Sequence, residues 1–205
     1  MSSMVGSPDS PAMTYQPGSS EIPPSLKTIS GGHAHWVASG PGRCYSLRAN
    51  SEVCGSLQFA RGRSSLATAR TSNAGWTFKR VGFFTPIISI KSEESGELEA
   101  VFHPRGTRSV GVLETRSGES YLWNERFWSV SHTKHALSGK PVILFMEAGT
   151  LESTIGSLDA VSAGVLMEPT AYRLPHLPLM LTLGWYLMLL KDEETVVAAA
   201  HRIRR

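Results

Sequence analysis

The sequence predicts an all-β protein: an antiparallel barrel of about twelve strands that encloses one C-terminal hydrophobic helix. Two observations predict it. From residue 43 onward, short runs of alternating or wholly apolar residues recur about every 8–12 residues, which is the strand spacing of a sandwich or barrel. The chain then reaches an apolar run, Leu177–Leu190, whose apolar residues cover the whole circumference of a helix. Such a helix must be buried.

The apolar run is suited to fill the lumen of the barrel, because a wide barrel leaves a space that its own side chains cannot occupy. The run is shorter than the roughly 20 residues that a membrane span needs, and we expect Lys191–Glu194 to end it. We predict that the core of the helix comprises Leu179, Leu183, Trp185, Leu187 and Leu190. The alternative is a C-terminal membrane anchor over 174–205, which the short run, Pro178 and Gly184 disfavour.

Three segments are predicted along the chain: a disordered leader over 1–40, the barrel over 41–200 and a basic tail over 201–205. The leader contains Pro, Ser and Gly throughout and shows no period of 2 or 3.6 residues. Within it, Trp36, Val37 and the neighbouring histidines offer an alternative first strand of the barrel.

The first half of the barrel region begins with a hairpin, in which Arg43–Ala49 and Val53–Phe59 flank the turn Asn50–Glu52. If Tyr45, Leu47, Val53 and Leu57 form the inner face, both Cys44 and Cys54 would point outward. The further predicted strands are Leu66–Thr71, Trp76–Val81, Phe83–Lys91 and Leu98–Phe102. Pro86 indicates an edge position or a strand start, because proline cannot donate to the ladder.

The second half predicts a hairpin of Thr107–Thr115 and Ser120–Val130, with a break near Asn124–Glu125. Val142–Met146 is apolar on both faces, which is typical of a doubly covered strand. Leu151–Leu158 and Ala163–Met167 are two weaker strands. We expect the aromatic residues to form core and barrel wall: Trp76, Phe78, Phe83, Phe84, Tyr121, Trp123, Phe127 and Trp128.

Composition limits the compartments in which the protein is expected and the partners that it is expected to bind. The 205 residues suit one domain plus a tail, and a net charge of +3 lacks the concentrated basic face of a nucleic-acid binder. Two cysteines make no disulfide scaffold, and the first residues lack a basic start followed by an apolar stretch. We therefore expect a monomeric cytoplasmic protein without a nucleic-acid partner, whose charge allows association with an anionic membrane surface.

The ordered strand series, the segment SLATARTSNAGWTFKRVGFFTPIISI and the C-terminal LPLMLTLGWYLMLL resemble one superfamily. It comprises the tubby C-terminal domain, the phospholipid scramblases, the LURP-one-related proteins and uncharacterised bacterial members that end in a similar helix. The resemblance covers roughly Arg43–Ala200 and implies a twelve-stranded barrel around a central apolar helix. The phosphoinositide-contacting basic residues of tubby, and the calcium segment and cysteine-rich run of scramblases, have no counterpart here. The resemblance therefore implies a fold and no site residues.

Catalytic and metal-binding patterns are sparse. His33 and His35 share one face of a strand, and His132 and His135 are the other close pair, but no cysteine or carboxylate completes a metal site. The chain has no G-x-S-x-G elbow, and its glycine pairs open no helix that could hold a phosphate. We predict a protein that is not an enzyme and uses no cofactor.

The remaining hypothesis is a binding or scaffold module. Its basic residues would form an anion or lipid-headgroup patch if they converge in space; they are Arg61, Arg63, Lys79, Arg80, Arg105 and Arg108. Scattered surface charge is the alternative interpretation. Two other functions stay open: membrane attachment through 174–205, and a small-ligand carrier. The helix argues against the carrier, because it would occupy the space that a ligand needs.

Overall fold

Twelve antiparallel strands close into a barrel around one long helix in the residues that the computed structural model describes. These are residues 32–62, 64–105, 110–130, 140–147 and 162–203; side chains are described up to residue 192, except at residue 147. The fold predicted from the sequence is confirmed. The strands are β1 His33–Ala38, β2 Cys44–Ala49, β3 Glu52–Phe59, β4 Ala67–Thr71, β5 Gly75–Val81, β6 Ile87–Ser92, β7 Leu98–Arg105, β8 Val110–Thr115, β9 Ser120–Asn124, β10 Phe127–Val130, β11 Pro141–Glu147 and β12 Ala163–Met167.

Each strand pairs with its neighbours in sequence, and β1 pairs with β12 to close the barrel. All odd-numbered strands therefore run towards one end, which we call the upper end, and all even-numbered strands run towards the lower end. After β12 the chain turns at the lower end through a 3-10 helix, Pro169–Arg173. The helix α1, Leu177–Ile203, then passes up through the lumen and leaves at the upper end.

The lumen is filled by the helix, because every residue from Leu179 to Leu190 is buried. This stretch includes the five residues predicted as the core of the helix. Trp128 Nε1 donates to the Met180 carbonyl at 2.8 Å, and Tyr186 Oη donates to the Ser65 carbonyl at 2.5 Å. A Cβ at Gly184 would collide with the ring of Phe145. The helix and the wall are thus in direct contact along the lumen.

The barrel begins earlier than the predicted boundary at residue 41, because β1 lies inside the range assigned to the leader. Ala34 and Trp36 alternate with exposed histidines on this strand and point into the core. The indole of Trp36 stacks on that of Trp185 with ring centroids 6.0 Å apart. The alternative first strand is therefore the observed one. Residues 1–31 lie outside the described residues.

Cys54 points inward, and the prediction that it points outward was wrong. The register between β2 and β3 shifts between Leu47 and Arg48: Leu47 pairs with Gly55, and Arg48 pairs with Val53. The extra residue on β3 is a bulge, which reverses which side chains face the core. Cys54 is 2% exposed and Val53 is 37% exposed, and the Cys54 thiol donates to the Leu47 carbonyl at 3.4 Å.

The strand predicted to begin at Phe83 begins at Ile87 instead. Gly82 has a φ of +90°, a left-handed conformation that turns the chain out of β5. Phe83 and Phe84 consequently lie in the turn, 88% and 92% exposed, and they are not part of the core. Pro86 stands directly before the strand, which agrees with the strand-start interpretation. The other aromatic residues predicted for core or wall are buried, except for the partly buried Phe127.

The helix extends beyond Leu190, where the sequence predicted its end, and includes part of the predicted tail. Lys191 and Asp192 end the burial of the helix but not the helix itself, because Lys191, Glu193 and Glu194 are good helix formers. Among the residues that the structure describes, no helix is long and apolar enough to cross a membrane. The strand predicted over Leu151–Leu158 lies outside the described residues.

Candidate functional site

The topology gathers the predicted basic patch at the upper end of the barrel. Arg61 lies in the turn after β3, Lys79 and Arg80 lie in the last part of β5, and Arg105 is the last residue of β7. Because these strands are all odd-numbered, their C-terminal ends meet at the same rim. Arg63 and Arg108 lie outside the described residues. The described members of the patch therefore share one end of the molecule.

Three further basic residues at the upper end were missed by the sequence interpretation: Arg43, Arg126 and Lys191. Arg43 precedes β2, Arg126 lies in the turn between β9 and β10, and Lys191 lies where α1 leaves the lumen. The guanidinium of Arg43 is 3.5 Å from the centroid of the Phe59 ring and donates to the Ser64 carbonyl at 3.3 Å. The predicted strands Arg43–Ala49 and Ser120–Val130 contain Arg43 and Arg126, so both residues were assigned to the wall instead of the rim.

Acidic residues predominate at the lower end. Glu93 pairs with Arg70, and Glu97 pairs with Arg116. The Glu99 carboxylate accepts a hydrogen bond from Trp76 Nε1 at 2.7 Å. By contrast, the acidic residues at the upper end of the described part of the chain are Glu125, Glu147, Asp192, Glu193 and Glu194. Among the described residues, basic residues therefore outnumber acidic ones at the upper end, and acidic residues outnumber basic ones at the lower end.

The upper end also exposes two aromatic rings. Phe83 and Phe84 contact each other edge to face, with centroids 5.2 Å apart. They lie in the turn between β5 and β6, next to the end of the strand that bears Lys79 and Arg80. Basic and apolar groups are thus adjacent on this rim, a combination that suits a surface that is both anionic and apolar.

A small recess opens at the upper end between the helix and the strands β5 to β7. It is lined by Arg80, Pro86, Ile88, Phe102, Pro104, Leu187, Leu190 and Lys191. Its accessible volume is about 10 Å³, close to the minimum that one water molecule needs. A drug-sized ligand needs about 300–1,000 Å³, so the recess cannot serve as such a site.

A hydroxyl, an imidazole and a carboxylate meet at the lower end, where the helix begins. Ser117 Oγ lies 3.1 Å from His176 Nε2, and Glu119 Oε2 lies 3.6 Å from the same nitrogen. In a catalytic triad the carboxylate holds the opposite ring nitrogen, Nδ1. Here both groups share Nε2, so the arrangement does not match a triad and instead ties the start of the helix to the β8–β9 hairpin.

The carboxylate of this cluster is strongly stabilised as an anion. Hydrogen bonds from Ser117, from the Glu119 backbone and from Thr115 lower the pKa of Glu119 to about 2. Thr115 Oγ1 donates to Glu119 Oε2 at 2.9 Å, and Ser117 donates to the same oxygen. A carboxylate that accepts several hydrogen bonds favours its charged form.

Metal ligation finds no support in the described part of the chain. His33 and His35 are exposed on the outer face of β1, and no group of three or more potential ligands occurs among the described residues. His132 and His135 lie outside those residues.

No protein-family model, no curated protein and no solved structure matches the chain. The fold defines a class, a closed antiparallel barrel whose lumen is occupied by its own C-terminal helix. The functional surface is accordingly assigned from the positions of this chain's own residues.

Proposed function

We propose that the protein is a non-enzymatic binding module whose upper end associates with anionic lipid headgroups. One observation carries the proposal: the turns after the odd strands and the exit of the helix gather basic residues at a single rim. Because the helix fills the lumen, a ligand would meet the protein on its outer surface. At this rim, basic residues outnumber acidic ones among the described residues.

The strength of such an association follows from electrostatics. Each Lys or Arg near an anionic membrane surface contributes about 1 kcal/mol, and the attraction falls off within a Debye length. Several basic residues on one rim would therefore give measurable binding that weakens as salt rises. The cytoplasmic leaflet carries the anionic lipids that this surface would meet, so the proposal places the protein in the cytoplasm.

We also propose that the chain is a distant member of the superfamily that includes tubby, the phospholipid scramblases and the LURP-one-related proteins. The support is architectural: a twelve-stranded barrel with a C-terminal apolar helix in its lumen is what the resemblance implied. This proposal adds no ligand contacts, because the lipid-contacting positions of tubby have no counterpart in the sequence.

The two alternative functions have less support. Membrane attachment through 174–205 would withdraw Leu183, Trp185 and the other buried helix residues, leaving the barrel without its central core. A small-ligand carrier would need a lumen cavity, and the helix occupies that volume. The headgroup-binding module requires no change in the fold.

The proposal is tested by flotation of the full chain with vesicles of phosphatidylcholine, with and without phosphatidylserine. We expect binding to the anionic vesicles alone, and less of it at high salt. The variant Arg61→Glu/Lys79→Glu reverses two charges at the upper end and should weaken binding at least about tenfold.

The matched control is Arg48→Glu/Lys91→Glu, which makes the same charge change on exposed residues near the lower end. This variant should bind like the parent protein. Equal losses in both variants would mean that net charge alone matters, and absence of binding by the parent protein would refute the proposal.

A further inference from the structure

The turn between β5 and β6 exposes two large apolar side chains that the barrel does not use. Phe83 and Phe84 are almost completely exposed, although phenylalanine is among the residues most often buried. Single exposed apolar residues are normal on a protein surface. Two adjacent phenylalanines whose rings contact each other form a small apolar tip.

The backbone on both sides of the Phe83–Phe84 tip is conformationally constrained. Val81 pairs with Ile87, so the ladder of β5 and β6 continues up to the turn. A Cβ at Gly82 would lie 2.9 Å from the Thr85 carbonyl oxygen, so the compact turn requires glycine. Pro86 has a fixed φ angle at the other side of the turn. The two rings are therefore presented on a constrained turn whose ends are anchored in the wall.

The surroundings of the tip indicate its partner. Lys79 is exposed on the strand that leads into the turn, and Arg61 is exposed in the neighbouring turn on the same rim. The ion-paired glutamates lie at the opposite end of the barrel. An apolar tip flanked by positive charge complements a bilayer, in which anionic headgroups lie above an apolar acyl region.

From this juxtaposition we infer that the Phe83–Phe84 turn inserts into the acyl–headgroup boundary of an anionic membrane and orients the barrel with its upper end on the bilayer. The inference rests on the proposed function and adds to it a defined contact and a defined orientation. Basic residues attract the protein to the surface, and the two rings bury apolar area there.

The first test compares vesicle partitioning of the full chain with that of Phe83→Ala/Phe84→Ala, again on phosphatidylcholine–phosphatidylserine vesicles. The double variant should bind at least about tenfold more weakly, because two rings no longer leave water. Its residual binding should remain sensitive to salt. The matched control is Val53→Ala/Leu98→Ala, which shortens two exposed apolar residues near the lower end and should leave binding unchanged.

The second test reports the surroundings of the turn directly. An environment-sensitive fluorophore is attached to Phe84→Cys in a Cys44→Ser background, where the remaining Cys54 is buried. Its emission should shift to the blue when anionic vesicles are added. The same fluorophore on Leu98→Cys at the lower end should keep its emission.

The outcomes separate the two proposals. If the parent protein does not bind anionic vesicles, the proposed function fails. If it binds, and Arg61→Glu/Lys79→Glu weakens binding while the phenylalanine variant and the fluorophore show no change, the headgroup module stands and the insertion is refuted. Unchanged emission on vesicles is also the result expected if an acidic protein surface is the true partner of the tip.

Discussion

The two ends of the barrel differ in the groups that they present. At the lower end, polar groups pair with one another: Arg70 with Glu93, Arg116 with Glu97, and the Ser117–Glu119 turn with His176 at the start of the helix. At the upper end the helix leaves the lumen, and Phe83 and Phe84 extend into solvent. The comparison indicates that contacts at the lower end fix the start of the helix to the wall, whereas the upper end is the surface to which the proposed function assigns membrane binding.

The largest expected effect is on stability, and it compares an aspartate placed in the core with one placed at the upper rim. Trp185 is 1% exposed and packs against Trp36 and Tyr45. In Trp185→Asp an uncompensated charge and a cavity should together destabilise the fold by at least about 3–5 kcal/mol. Since a domain has about 5–15 kcal/mol of stability in total, we expect the variant to lose most of its folded population in thermal melts followed by circular dichroism.

The matched control for this prediction is Phe84→Asp, which places the same charge on the exposed turn. Its melting temperature should stay close to that of the parent protein, because surface substitutions usually change stability by less than about 0.5 kcal/mol. A native-like melt of Trp185→Asp would contradict the enclosed helix, and unfolding of Phe84→Asp would contradict the exposed position of the turn.

A second contrast concerns the two cysteines, which lie near opposite ends of the barrel. Burial raises the pKa of the Cys54 thiol to about 11, so at pH 8 only about one in a thousand of these thiols would be ionised. Cys44 is only partly buried, near the upper rim. We expect iodoacetamide to modify Cys44 at least about 100-fold faster than Cys54, as read by peptide mass spectrometry.

Denaturant provides the control, because both thiols should react at similar rates once the chain unfolds. Equal rates in the folded protein would mean that Cys54 points outward. That result would contradict the bulge between β2 and β3.

The cysteines also show which parts of the fold could be predicted from the sequence. Alternation predicts strands, and an apolar run without a polar face predicts an enclosed helix, so the class of fold followed from local patterns. The bulge at Cys54 could not be foreseen, because one extra residue reverses the inner and outer faces without changing the composition of the strand. FFTPIISIK likewise matches a strand throughout, and only the conformation at Gly82 separates the exposed rings from the wall.

The candidate surface was predictable in part. Charge alone predicted four of the described basic residues: Arg61, Lys79, Arg80 and Arg105. The alternating strand direction brings them to one rim. The cluster at the start of the helix was not predictable, because Ser117 and His176 are far apart in sequence. Their meeting depends on where the helix enters the lumen, which no local pattern specifies.

The smallest expected effect concerns Glu119 at the lower end and is measured by lowering the pH. The folded pKa of Glu119, about 2, lies below its ordinary value of 4.5, so the charged carboxylate favours the folded state. The stabilisation is fully present above the unfolded pKa and is lost as the pH falls from about 4.5 towards 2. Glu119→Gln should therefore melt at a lower temperature than the parent protein at pH 7, and the difference should shrink steadily below pH 4.5.

The control residue is Glu125, which lies at the upper end, away from the Ser117–Glu119–His176 cluster. Glu125→Gln should melt at nearly the same temperature as the parent protein at pH 7. If the melting temperature at pH 7 fell by the same amount in both variants, the stabilisation would come from overall charge. A loss confined to Glu119→Gln would assign it to the Ser117–Glu119–His176 contact, and hence to the end of the barrel where the helix enters.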